Sequence, residues 1–300
     1  VKTDGTRIFA GAGGRLHAVD PSGARPRLVG TLEFPARFTP RDLLLAGDRV
    51  LVIGSTSRRV TAAPAPGAAP DIAPGPTSGM TVPPGRELDG TPRTAIASGD
   101  VSSPGSMRIV DRISTDATYS SARMRDGTVR IVLTGPRPRY PLSYRSGFSG
   151  ALERALAVRE VRAMDVASWL PSYRDEDADG TATADAVTAP CDTISRPVGP
   201  PTGVGTVTVL TIDPARGVTP VDQDTVMGAS DEIMMSADNL YATAHQADGR
   251  AGAKTQIHVF DVSRPRTTEY RASGAVEGSL LNQFSMDEHD GVLRVATHRG

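Results

Sequence analysis

Four segments of this chain repeat one hairpin: LLLAGDRVLVIGS (43–55), RMRDGTVRIVLTG (123–135), MMSADNLYATAH (234–245) and SMDEHDGVLRVATH (285–298). Each is a short strand, a turn built on Asp with Gly or Asn, and a second strand of β-branched, alternating character. The last two turns lie about 52 positions apart, and larger gaps separate the earlier ones. A supersecondary unit repeated at such a spacing implies an array of small sheets that bury their faces against one another, not one undivided core.

A second element recurs between the hairpins, an apolar strand ending in Asp: GGRLHAVD (13–20), GSMRIVD (105–111), GTVTVLTID (205–213) and TQIHVFDV (255–262). A more polar strand follows in PRLVGTLEF (26–34), VTPVDQDTVMG (218–228) and TTEYRASGAVEG (267–278). Hairpin, Asp-ended strand and polar strand make the four-strand meander of a propeller blade, with the polar strand outermost. The carboxylates of Asp20, Asp111, Asp213 and Asp261 suit Asx turns that stop the strand, a structural role. The expected fold is all-β: a β-propeller region over residues 1–300, built of four-stranded antiparallel blades, with a short helix in an insertion. Gly11, Gly13 and Gly14 fall in a hairpin turn, and the hairpin turns Gly47-Asp48, Asp126-Gly127, Asp238-Asn239 and Asp290-Gly291 supply residues that tolerate positive φ.

Two insertions stretch the spacing. Residues 57–104 are rich in Pro, Ala and Gly with hardly a bulky apolar side chain, the composition of a flexible loop. Residues 136–204 open on the basic segment PRPRYPLSYRSG. They continue through a helical stretch near 150–167 with Leu152, Leu156, Val161 and Met164 as an apolar stripe. Trp169, the only tryptophan, is expected to dock this insertion on the propeller body, and Cys191, the only cysteine, to be a buried or loop residue. One cysteine excludes an intramolecular disulfide and any CxxC site.

Composition excludes several functions. A formal net charge of −1 and a charged fraction of 22% give no field that would draw nucleic acid. Aromatics at 4% argue against stacking platforms for single strands. No apolar run approaches the roughly 18 residues of a membrane span, so any anchor would lie outside this chain.

Few motifs carry chemistry. Asp175, Asp177, Asp179 and Gly180 have the spacing that opens a calcium loop, but the twelfth position is Ala186, with Asp185 one place early. A weak calcium site on Asp175, Asp177 and Asp179 is the metal expectation, and no other cofactor is expected. His245 and His258 could approach each other, and His289 and His298 sit on the last hairpin, but none has a zinc-site spacing. There is no GxSxG elbow, phosphate loop or dinucleotide fingerprint, and no catalytic residue is assigned. The expected inner strands carry Leu43–Leu45, Tyr119–Ser121, Ile233–Ser236 and Phe284–Met286, a set poor in general acids and bases.

The closing segment LLNQFSMDEHDGVLRVATHRG (280–300) resembles the signature of secreted bacterial and archaeal proteins whose β-propeller is distantly related to WD40 repeats. VKTDGTRIFAGAGGRLHAVD (1–20), ATYSSARMRDGTVRIVLTG (117–135) and the WLPSY…C passage (169–191) are similar to the same family, and Ala- and Arg-rich coding fits an actinobacterial member. The resemblance implies an exported or surface-anchored propeller and brings no catalytic residues; Asn282, Gln283, Phe284 and Asp287 are read as an inner strand and its approach. The chain stops just after a hairpin that opens a further blade, the expectation for the N-terminal part of a longer ring. The leading functional expectation is an extracytoplasmic scaffold that binds a protein or envelope ligand. The alternative is a hydrolase or oxidoreductase with a site in the central channel completed beyond residue 300.

Overall fold

The computed structural model describes residues 1–35, 37–56, 93–135, 150–165, 169–183, 187–203, 205–248 and 252–299. Alternating apolar strands and tight turns produce four antiparallel sheets and a final hairpin. Blade 1 is β1 (Lys2–Thr3), β2 (Ile8–Ala12), β3 (Arg15–Asp20) and β4 (Arg27–Glu33), paired in chain order. Blade 2 has β5 (Thr39–Ala46), β6 (Arg49–Thr56), β7 (Arg93–Asp100) and β8 (Arg108–Thr115). Blade 3 starts with β9 (Thr118–Arg125) and β10 (Thr128–Thr134); after the second insertion, β14 (Thr206–Ile212) and β15 (Asp222–Met227) complete it. Blade 4 is β16 (Glu232–Met235), β17 (Asn239–Asp248), β18 (Gly252–Asp261) and β19 (Glu269–Glu277), and β20 (Met286–His289) pairs with β21 (Val292–Val295) beyond it. The described strands form no closed ring.

Strand alternation assembles the core. On β6, Val50 and Val52 pack toward blade 1 while Leu51 and Ile53 pack toward blade 3. On β10, Val129, Ile131 and Leu133 face blade 2, and Val132 faces blade 4. The second and third strands of blades 2 to 4 are therefore buried on both faces, because each lies between two neighbouring sheets, whereas those of blade 1 bury one face only. The buried side chains form four clusters, one per seam between successive sheets.

The turns follow the residues. Asp126-Gly127 and Asp290-Gly291 both have positive φ, the geometry of a type I′ hairpin turn, whereas only Gly47 does in Gly47-Asp48. The Asp238-Asn239 expectation is corrected: neither has positive φ, and the Ser236 hydroxyl closes that turn by accepting from the Asn239 N–H at 3.0 Å.

The Asp-ended strand is real, with one correction. Asp20, Asp100, Asp213 and Asp261 each follow or end a third strand, and each Oδ1 accepts the N–H two residues on at 2.9–3.1 Å. In blade 2 that residue is Asp100, not Asp111. Asp111 lies within the fourth strand, β8, where its Oδ2 accepts the Val218 N–H of blade 3 at 2.7 Å. The expected loop 57–104 is shortened to match. Residues 93–100 are the buried strand β7, and residues 57–92 lie outside the described residues.

The second insertion partly covers the outer sheet edges. Its helix α1 (Gly150–Ala163) forms where expected but leaves Leu156 and Val158 exposed, so the anticipated stripe is not buried as a unit. The basic opening segment lies outside the described residues. Farther on, β11 (Ser172–Glu176) pairs with β8, β12 (Val187–Thr188) pairs with β11, and β13 (Ile194–Ser195) runs parallel to β15. Strand edges that would template foreign pairing are thereby occupied. Trp169 is half-buried beside the buried Leu170, and Cys191 is exposed in a 3-10 turn.

The seam between blades 3 and 4 is the polar one. Asp222 and Asp224 accept the N–H groups of Thr268 and Tyr270 at 2.6 and 3.0 Å. Burial first, then the nearby Asp222 and Glu269, push the Asp224 carboxyl up to about 6. His258 is fully buried, with no hydrogen bond to either ring nitrogen, and burial lowers its pKa. A Cβ on Gly228 would stand 3.0 Å from His258 Nε2, so glycine there makes room for the ring. The two groups oppose each other in acid. Neutral His258 stabilises the fold fully above its unfolded pKa near 6.5, and that contribution falls away as pH drops below it. Asp224, raised, contributes stability at low pH that is lost as pH rises through about 6. Asp224→Asn removes the second contribution alone. Its urea midpoint is expected to fall more steeply than wild type between pH 6.5 and 5, and parallel profiles would refute the assignment.

Candidate functional site

The first strand of each blade is innermost, and three of these strands begin around one concavity. Arg41 and Asp42 of β5, Tyr119, Ser120, Ser121 and Arg123 of β9, Asp231–Ile233 at the start of β16, and Gln283 line a cavity of about 370 Å³. The second strands run antiparallel to the first, so β6 and β10 end at this same level, at Thr56 and Thr134. Both insertions leave the sheets there. This concavity, the mouth between the inner strands, and the two longest connections therefore share one face.

Local irregularities shape the mouth. On β5, Pro40 pairs with Gly54 and Asp42 with Ile53, which leaves Arg41 as an extra residue. On β9, Tyr119 pairs with Leu133 and Ser121 with Val132, which leaves Ser120 extra. A bulge re-aims side chains that regular pleating would send into a seam. The bulges of the outer strands differ: they fall at Val29, Val110 and Arg271, near the start of each fourth strand, and recur in three blades as part of the turn architecture.

Hydrogen bonds fix part of the wall. Tyr119 Oη donates to Asp42 Oδ2 at 2.7 Å, while Asp42 Oδ1 accepts the Leu43 N–H at 2.7 Å. Burial, reinforced by that carboxylate, raises the Tyr119 pKa far above its usual value, so the phenol stays protonated and serves as a donor. Arg123 spans the opening, donating to Ser121 Oγ and Gln283 Oε1, both at 2.6 Å, and toward Ile233 O at 3.4 Å. Asp231 Oδ2 accepts the His245 N–H at 2.6 Å. Arg41, Asp42, Arg123, Asp231 and Glu232 make no ion pair among the described residues, although both signs line one cavity.

These inner strands are richer in acids and bases than the sequence reading allowed, because the charged residues precede the apolar runs that mark the strands. The signal that could have found them is position: residues 41–42 and 231–232 stand just upstream of recognisable inner strands. The last expected inner strand, Phe284–Met286, is also corrected. Asn282 caps a 3-10 turn, Gln283–Ser285, by accepting the Phe284 N–H at 2.9 Å, and β20 starts only at Met286. Gln283 thereby reaches the mouth, whereas Phe284 is exposed.

The other expected site residues lie elsewhere. Asp175 is on β11, and its Oδ1 lies 3.4 Å from the Thr219 hydroxyl. Asp177 Oδ1 accepts the N–H groups of Asp179 and Thr181 at 3.0 and 2.8 Å, closing a turn at Gly180. Ala186 and Asp185 lie outside the described residues, and among the described ones no three His, Cys, Asp or Glu side chains converge as a metal site. His245 pairs with Thr255 across β17 and β18, so His258, three residues on, points to the opposite face; the two do not meet. His289 stands beside Asp290, and His298 forms a bridge with Ser279.

A second concavity of about 660 Å³ opens on the opposite face, among the hairpin turns at Gly47 and Gly127 and the loops at Asp213–Ala215 and Pro265–Arg266. No helix among the described residues is long and apolar enough to cross a membrane. A search of curated proteins returns no match to the chain. The family model described as "Beta propeller domain" does match, and it spans residues 1–300; with its successive antiparallel meanders packed face to face, the chain belongs to that family.

Proposed function

We propose that this propeller is an extracytoplasmic scaffold that binds a protein or cell-envelope ligand at the channel mouth. The observation that carries the reading is the set of five charged side chains around that mouth, unpaired with one another, on the face from which both long insertions leave. Charges in a concavity cost desolvation and conformational freedom, and a ligand that supplies the missing partners offsets both. The extracytoplasmic location is supported by the resemblance of residues 280–300 to secreted propellers. The fold alone names no ligand.

The test is capture from the envelope fraction by the intact protein, alongside Arg41→Ala/Arg123→Ala and the opposite-face control Arg216→Gln. A component retained by wild type and control but lost with the double variant is the expected result. Identical sets on all three proteins would overturn the reading.

A further inference from the structure

The mouth carries both signs of charge: β5 brings Arg41 with Asp42, β9 brings Arg123, and the start of β16 brings Asp231 and Glu232. Arg41 is the extra residue of the β5 bulge, exposed and without an ion pair among the described residues. Arg123 of β9 is fixed by Ser121 and Gln283, neutral acceptors that leave its positive charge uncompensated. Asp231 and Glu232 at the start of β16 have no cationic partner among the described residues, and Asp231 Oδ2 accepts a backbone N–H. Asp42 is held by the Tyr119 hydroxyl. Flexible surface charges of opposite sign this close in space would ordinarily find each other. Here the Arg123 guanidinium is directed instead to Ser121, Gln283 and the Ile233 carbonyl.

A single anion would meet repulsion from the β16 carboxylates, and a single cation would meet it from the two guanidiniums. A ligand with a carboxylate at one end and an ammonium at the other satisfies both walls. The Ser120 and Ser121 hydroxyls between them can pair with amide groups. A volume of about 370 Å³ is near the lower end of the roughly 300–1,000 Å³ typical of small-ligand sites and suits a molecule of two or three residues. We infer that the channel mouth binds a short peptide with both termini free: its carboxylate at Arg41 and Arg123, its ammonium at Asp231 and Glu232. This rests on the mouth being the recognition surface.

The test is calorimetric titration of the intact protein, at low ionic strength, with alanyl-alanine, trialanine, and their N-acetylated and C-amidated forms. The unblocked peptides are expected to bind, and each block to weaken binding by about tenfold or more, as loss of a charge-assisted contact does. Arg123→Met should then reduce the penalty for amidation, and Glu232→Gln should reduce the penalty for acetylation. Equal binding of free and blocked peptides would overturn the inference. So would no binding at millimolar peptide, and if the envelope component is still lost from the Arg41→Ala/Arg123→Ala protein, the binding surface stands and only the ligand class falls.

Discussion

Arg130→Ala is expected to cost about 3–5 kcal/mol of stability, the combined scale of a void in a packed seam and of buried carbonyls that lose their donor. Alternation along β10 sends Arg130 to the blade 4 side, the side that Val132 fills with an apolar group. Arg130 is 2% exposed and forms no ion pair among the described residues. Its Nη2 donates to the carbonyls of Arg264 and Thr267 at 2.9 and 3.1 Å, and Nε lies 3.3 Å from the Thr268 hydroxyl, which is itself 2.7 Å from the Thr211 hydroxyl. One side chain of blade 3 thus organises the loop between the third and fourth strands of blade 4.

Truncation leaves two carbonyls without their donor and opens a void in the seam. Each effect is worth one to several kcal/mol on its own, about 1–3 for an unsatisfied buried polar group and more with a cavity. Arg130→Met refills much of the volume and should recover part of the loss; Arg130→Lys keeps charge but not the planar fork and should fall between them. Urea denaturation of the three variants ranks them. An Arg130→Ala midpoint within error of wild type would show that the loop is held by other contacts.

The propeller was legible in the sequence because its repeats are local. Asp-Gly turns and β-branched strands report backbone geometry directly, and the helix near 150 announced itself by the spacing of its apolar residues. What escaped notice depends on neighbours. β7 reads RTAIASGD, with small residues and no long apolar run, yet every position but the last is buried. A Cβ on Gly99 would come within 2.9 Å of Val50, so the strand is small because large strands flank it. Its turn residues Asp100 and Ser102 repeat the pairs Asp20–Ser22 and Asp261–Ser263, and that spacing was the available clue. Arg41 and Ser120 reach the mouth through bulges, which no alternation pattern can register. The mouth exists only because three blades bring together residues nearly 200 positions apart, from Arg41 to Glu232.

Glu176 illustrates how an acidic run changes meaning in context. Read along the chain, it is one more carboxylate between Asp175 and Asp177. On β11 it stands opposite Arg112 of β8, and the two form an ion pair at 2.9 Å, with side chains 9% and 3% exposed. The Ser114 hydroxyl donates to the other carboxylate oxygen, and the Arg112 guanidinium lies 5.4 Å from the Phe38 ring centre. Burial lowers the Arg112 pKa and Glu176 opposes that shift, so the guanidinium relies on this carboxylate. Glu176→Ala leaves a buried cation unpaired, and a loss of about 3–5 kcal/mol is expected. Because β11 is the insertion's hold on blade 2, the damage should be local first. Limited proteolysis under native conditions is expected to cut within 136–204 in Glu176→Ala well before the blades unfold. Pairing that change with Arg112→Met removes the stranded charge and should restore much of the midpoint, since an apolar side chain can replace a buried ion pair at little cost. If Glu176→Ala alone resists protease as wild type does, the insertion is anchored by its strand pairing, and the ion pair is incidental to it.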